Sequence, residues 1–177
     1  MFLDIQSNDP DLLKFLEENI SKTTPSIILS KKGHRLLTLN FLSSENEVKI
    51  SCLNQDPISM SKPFHFSEII NKINHFQQNY FVEIGPMEYF PFDGSLKLNE
   101  KNTLLTQTQN QILCSLVCFE EGIDKKKLYE SIWVKDKNIS ENKLDTHLTN
   151  LRNHIFDFGN YKLNFKTLRG AIKLDIN

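Results

Sequence analysis

Residues 144–155, Leu144-Asp145-Thr146-His147-Leu148-Thr149-Asn150-Leu151-Arg152-Asn153-His154-Ile155, decide how this chain is read. Leu144, Leu148, Leu151 and Ile155 fall at i, i+4, i+7 and i+11. On a helix turning about 100° per residue they form one apolar stripe. The opposite side carries Asn142, Thr146, Thr149, Asn150 and Asn153, flanked by Lys143, His147 and Arg152. A helix over Glu141–Phe156 is therefore predicted to bury one side and to offer hydrogen-bonding groups on the other. Ser140 is placed to cap it.

Upstream of that helix, Asp124 can cap a second helix over Lys125–Trp133, with Leu128, Ile132 and Trp133 inward. Gly122 ends a preceding helix built on Ile112, Leu113, Leu116, Val117 and Phe119. Its start is marked by Thr106-Gln107-Thr108-Gln109, a capping box in which hydroxyl and amide satisfy free backbone N–H groups. Before it come strand-like runs at Phe81–Ile84, Met87–Phe90 and Leu96–Leu98, punctuated by Gly85-Pro86 and Asp93-Gly94. Downstream, Lys162–Phe165 and Ile172–Ile176 enclose Thr167-Leu168-Arg169-Gly170 as a hairpin. Strands, three helices and a hairpin with arginine at its tip have the layout of a winged helix.

The first half reads differently. Phe2–Ile5 is a short strand, and Asp9-Pro10 opens a helix with Leu12, Leu13, Leu16 and Ile20 at helical spacing. Pro25 precedes the β-like Ser26–Leu29, and further strands are predicted over Leu36–Phe41 and Val48–Leu53. After Lys62-Pro63, Phe66, Ile69, Ile70, Ile73 and Phe76 make an amphipathic helix with Ser67 near its start. The expected fold class is α+β: a small α/β domain over 1–78, then a winged helix-turn-helix domain over 81–177 with a short antiparallel sheet, three helices and a C-terminal hairpin.

Composition fits that division. Of 177 residues, 39% are hydrophobic and 24% charged, enough to build cores without disulfides. The three cysteines, Cys52, Cys114 and Cys118, do not form a disulfide framework. Met1-Phe2-Leu3-Asp4 gives no start to a signal peptide, and no apolar run approaches the roughly 20 residues of a bilayer span. A cytoplasmic setting is expected. Residues 1–84 carry 8 basic and 10 acidic side chains, whereas Lys125–Lys173 carries 11 and 5, a net of +6 that points to an anionic partner.

Read together and in order, Leu105-Thr106, Leu128-Tyr129-Glu130-Ser131-Ile132-Trp133, Leu144–Arg152 and Thr167-Leu168-Arg169-Gly170 resemble the effector domain of the OmpR/PhoB response regulators, over about 81–176. Phe81–Gly85 and Leu98-Asn99-Glu100-Lys101 resemble the sheet that precedes the helices in that family. More faintly, Phe2–Ile5 with Asp9–Leu13, and Lys62-Pro63-Phe64 with Glu68-Ile69, resemble the first strand and helix and the last strand-to-helix junction of a receiver domain. Where the family places its metal-binding acidic pair this chain has Ser7-Asn8, and no phosphoacceptor aspartate stands out, Asp56 being poorly spaced. Mg²⁺ needs several oxygen ligands, which Asp9 alone does not supply.

The resemblance implies a phosphorylation-independent regulator that binds duplex DNA, as a homodimer, with RNA polymerase or another regulator as a further partner. Lys143, Thr146, His147, Thr149, Asn150, Arg152, Asn153, Arg169 and Lys173 are the expected contacts. Asparagine can pair with adenine and threonine can touch a thymine methyl. Arg169 at the wing tip is the minor-groove candidate, and Arg152 is either a DNA contact or a structural partner of Asp145. Lys125, Lys126, Lys127, Lys135 and Lys137 are phosphate candidates. Two departures stand out: Thr149, Asn150 and Asn153 replace basic residues common in the family, and Ala171-Ile172 follows the wing glycine. No catalytic residue, metal or cofactor is expected. Cys114 and Cys118 read as core cysteines, and His147 and His154 as surface positions. The competing reading is a protein-interaction adaptor whose winged helix does not read DNA.

Overall fold

The computed structural model describes residues 2–23, 28–29, 37–52, 55–119, 121–133, 141–168 and 170–175. They divide into two compact units, Met1–Tyr80 and Phe81–Asn177.

The first unit contains β1 (Phe2–Ser7), α1 (Pro10–Thr23), β2 (Ile28–Leu29), β3 (Leu37–Ser43), β4 (Glu47–Cys52), β5 (Gln55–Ser61) and α2 (Phe66–Asn79). The strands form one sheet in the order β2-β1-β3-β4-β5. β1 is parallel to both its neighbours, whereas β3, β4 and β5 run antiparallel through hairpins. Ile5, Leu39, Phe41, Val48, Ile50 and Met60 are buried on one face, with Leu16 and Ile20 of α1 and Ile69, Ile73 and Phe76 of α2. The other face pairs Gln6 with Asn40, Asn40 with Ser51, and Lys49 with both Leu42 and Ser59. Leu42 on that face is 53% exposed. Strand side chains alternate, so both helices of this unit serve one side of its sheet, and the central strands turn mostly polar residues to the other.

One local reading of the sequence changes. β5 was hidden because Pro57 interrupts it; it is an edge strand, where proline's missing N–H costs no ladder bond. α2 starts at Phe66 with Ser67 in its first turn, as expected, and the Glu68 carboxylate accepts the His65 N–H at 3.3 Å. The Asp9 carboxylate caps α1 by accepting the Asp11 and Leu12 N–H groups at 3.1 and 3.0 Å.

The second unit opens with a four-stranded antiparallel sheet of β6 (Val82–Ile84), β7 (Met87–Phe90), β8 (Ser95–Leu98) and β9 (Lys101–Leu104). It continues through α3 (Gln107–Cys118), β10 (Ile123–Asp124), α4 (Lys125–Ile132), α5 (Glu141–Gly159), β11 (Asn164–Leu168) and β12 (Ala171–Asp175), the last two pairing with β10 in the order β10-β12-β11. β9 and the two-residue β10 are strands that the sequence patterning missed, Lys101-Asn102-Thr103-Leu104 giving no buried alternation. The Thr106–Gln109 capping box forms, and Asp124 caps α4 by accepting the Lys127 N–H at 3.0 Å. Ser140, Lys135, Lys137 and Arg169 lie outside the described residues.

One core unites these elements. Leu144, Leu148, Leu151 and Ile155 join Ile112, Leu113 and Leu116 of α3, Leu128 and Tyr129 of α4, Tyr89 and Leu96 of the sheet, and Ile172 and Leu174 of β12. Buried Tyr89 donates its hydroxyl proton to Asn110, whose amide in turn donates to the Pro91 carbonyl at 3.1 Å, so the sheet grips α3. Gly85 turns the β6–β7 hairpin at φ +58°, and a Cβ there would run into the Tyr161 ring.

Leu151 is fully buried at the centre of the α5 stripe. Leu151→Ala is expected to cost about 2–5 kcal/mol in urea unfolding. Trp133, the only tryptophan, lies in this unit and reports it by fluorescence.

Candidate nucleic-acid interface

The burial of one side of α5 determines what the other side offers. Asn142, Asp145, Thr146, Thr149, Asn150, Arg152 and Asn153 are exposed, and Lys143 and His147 are half-buried. Asn142, Asp145, Thr146, Thr149 and Asn150 line one shallow open depression. Asn150, Asn153, His154 and Asp157 line a second with Thr103.

α5 is held at its middle and far end. The buried Gln109 amide donates to the Asn150 carbonyl at 3.4 Å, and Thr103 of β9 meets the His154 ring at 3.2 Å. The wing is tied in at α4, where the Lys125 N–H donates to the Gly170 carbonyl at 3.1 Å. The helix and the hairpin are thus referred to one frame.

Side-chain chemistry on this face is more neutral than the sequence charge suggests. Lys143 lies over the Trp133 ring at 4.5 Å, and His147 packs on the same ring with centroids 5.3 Å apart. Lys125 pairs with Asp145 at 2.9 Å. The expected Asp145–Arg152 partnership is corrected by that contact: the Arg152 guanidinium lies over Phe165 of β11, at 4.5 Å from the ring centroid. An exposed planar cation on an aromatic face gains from both stacking and charge, which a partner seven residues along the helix does not offer. Lys166 pairs with Asp175 at 2.7 Å, and Lys126 reaches Glu130 at 4.0 Å. The Thr146 and Thr149 hydroxyls donate back to the Asn142 and Asp145 carbonyls at 2.8 and 2.9 Å. Lys173 is half-buried on β12. Sequence reasoning missed the Trp133–Lys143–His147 cluster; its only signal was the spacing of Lys143 and His147 beside Trp133.

The cysteine pair is a core feature. Cys114 is buried and Cys118 half-buried, one helical turn apart on α3. Their mutual interaction lowers the Cys114 thiol and raises that of Cys118, with burial opposing the first shift and adding to the second. Among the described residues no group of three or more His, Cys, Asp or Glu side chains is arranged to hold a metal.

A second polar constellation stands at the ends of β1, β3 and β5 in the first unit. The Asn8 amide donates to the Ser43 carbonyl at 3.0 Å and accepts the Ser43 N–H at 2.7 Å. The Ser43 hydroxyl donates to Asp9 at 3.1 Å, and the Lys62 ammonium donates to the Ser43 hydroxyl and the Ser44 carbonyl, both at 2.7 Å. Ser43 was not singled out from the sequence, because nothing local marks a strand-end serine whose partners lie 34 and 19 residues away.

No protein-family model and no curated protein sequence matches the chain. Among solved structures, the C-terminal domain of the nisin resistance regulator NsrR, a lantibiotic response regulator, is 30% identical, the match covering 54% of this chain and 98% of that one at TM-score 0.41. The DNA-binding domain of E. coli CadC is 16% identical, covering 56% and 95% at TM-score 0.47. The Thermotoga maritima response regulator DrrB, an OmpR/PhoB homologue, is 16% identical and covers 98% of each chain at TM-score 0.48. A four-stranded sheet, three helices around one core and a closing hairpin give the second unit the layout of a winged helix. It follows a small α/β unit built on one five-stranded sheet. No helix among the described residues is long and apolar enough to cross a membrane.

The Asp9 carboxyl is held below its ordinary value, first by the Leu12 N–H, then by the Ser43 hydroxyl, with Asp11 and Lys62 helping and desolvation opposing. A carboxyl lowered on folding stabilises above its unfolded value of about 3.9 and loses that effect as pH falls through the folded value. Asp9→Asn is therefore expected to be less stable than the parent at about pH 6, with the gap closing toward about pH 3. Urea titrations followed by circular dichroism check this.

Proposed function

We propose that this chain is a phosphorylation-independent transcriptional regulator that binds duplex DNA through its winged helix. The carrying observation is the two-sided character of α5: a buried Leu144–Leu148–Leu151–Ile155 stripe opposite exposed Asn142, Thr146, Thr149, Asn150 and Asn153. In a helix-turn-helix reader such a helix enters the major groove with its polar side toward the base edges. Lys127, Lys162 and Lys173 are available for phosphates, which set affinity and salt dependence. Arg169 is the wing-tip candidate by sequence. The protein acts as a cytoplasmic homodimer on paired half-sites, since one reading helix covers few base pairs. The polar side of α2, with Ser67, Asn71 and His75, is the proposed dimer surface.

Phosphorylation independence rests on the Asn8–Asp9–Ser43–Lys62 network. A serine stands at the end of β3, and Asp9 is the one carboxylate among the described residues bonded to it. Its oxygens serve the α1 N-terminus and Ser43, and the Lys62 ammonium fills the space between Ser43 and Ser44.

One observation favours a protein-interaction adaptor instead. Lys125, Lys143 and Arg152 are engaged by Asp145, Trp133 and Phe165, which leaves the α5 face short of cations for a polyanion.

Mobility-shift assays at moderate salt separate the two. The parent chain is expected to retard genomic fragments, and Asn150→Ala combined with Arg169→Ala to weaken binding by at least roughly ten-fold. No retardation of any fragment by the parent supports the adaptor. Incubation with acetyl phosphate and Mg²⁺ is expected to yield no acyl-phosphate adduct by mass spectrometry.

A further inference from the structure

We infer that α5 selects A·T base pairs through the major groove, a specificity that rests on the DNA-binding reading. The argument is one of available donors and acceptors. Guanine is read from the major groove chiefly by arginine or lysine reaching O6 and N7 together. The two cations of α5 are both committed elsewhere: Lys143 to the Trp133 and Tyr129 rings at 4.5 and 5.9 Å, Arg152 to Phe165 at 4.5 Å. Cytosine is read by a carboxylate accepting from N4. Asp145 on the exposed face is held by Lys125 at 2.9 Å. Asp157 sits in the last turn of α5, away from the N-terminal part of a recognition helix that approaches the bases.

The groups left are of two kinds. Asn142, Asn150 and Asn153 expose amides, the side chain that donates to adenine N7 and accepts from N6 at once. Thr146 and Thr149 are exposed but spend their hydroxyl protons on the helix's own carbonyls. Each therefore presents a methyl group and an oxygen lone pair, which suit the thymine methyl better than any acceptor-rich edge. Asn142, Thr146, Thr149 and Asn150 share one depression, so amide and methyl groups are offered side by side. That juxtaposition matches the two halves of an A·T pair.

The test uses the full chain and duplexes selected by it from a random library, measured by fluorescence anisotropy. The selected duplexes are expected to contain A·T runs at the contacted positions. Exchanging those pairs for inosine·cytosine keeps the minor-groove pattern and changes the major-groove one; binding is expected to weaken roughly ten-fold or more per half-site. Substituting 7-deazaadenine, which lacks N7, is expected to weaken the parent but not Asn150→Ala. Undiminished binding to inosine·cytosine duplexes, or selection of G·C-rich ones, overturns the inference while leaving DNA binding in place. Enrichment of no duplex at all removes both.

Discussion

The apolar stripe of α5 is the constraint on which the second unit turns. Leu144, Leu148, Leu151 and Ile155 are all but fully buried, and they join a core to which α3, α4, β12 and the sheet strands β6–β8 all contribute. Burying a leucine side chain is worth about 1.5–3 kcal/mol, so the four together outweigh any surface preference the helix has for another rotation about its axis. The rotation being set, the polar side has no freedom to choose its orientation. Gln109 and Thr103 then fix the helix along its length, through the Asn150 carbonyl and the His154 ring.

Charge is redistributed by the fold in a way that residue counting does not register. The stretch from Lys125 to Lys173 is strongly basic in sequence, yet its carboxylates and aromatic rings take up several of those cations. An exposed ion pair contributes little to stability, so these contacts matter less for holding the fold than for deciding which charges remain presentable. The aromatic stacks act similarly: Trp133 and Phe165 hold Lys143 and Arg152 against the body of the unit.

Much of the architecture was legible because it rests on periodicity and local capping. The α5 stripe, the Thr106–Gln109 box and the Asp124 cap are patterns within a few residues of one another, and each forms where its spacing places it. What escaped was non-local or weakly patterned. β5 is broken by Pro57, and β9 has no buried alternation, so neither carries a strand signature. Arg152 could be placed on the correct helix but not with its partner, because Phe165 arrives from a strand that the sequence does not align with it. The Asn8–Asp9–Ser43–Lys62 network joins three strand ends far apart in the chain. The hydrophilic sheet face followed from alternation, but only once the register was known.

The edges of the five-stranded sheet have a consequence for self-association. At one end stands a strand of two residues, and at the other a strand interrupted by Pro57, with Asp56, Ser59 and Ser61 exposed along it. A proline-bearing strand with exposed polar side chains, as at the β5 border, makes a poor template for a strand from a second molecule. Growth of the sheet across copies is thereby discouraged at that border, where proline leaves a gap in the ladder of backbone hydrogen bonds that an incoming strand would need.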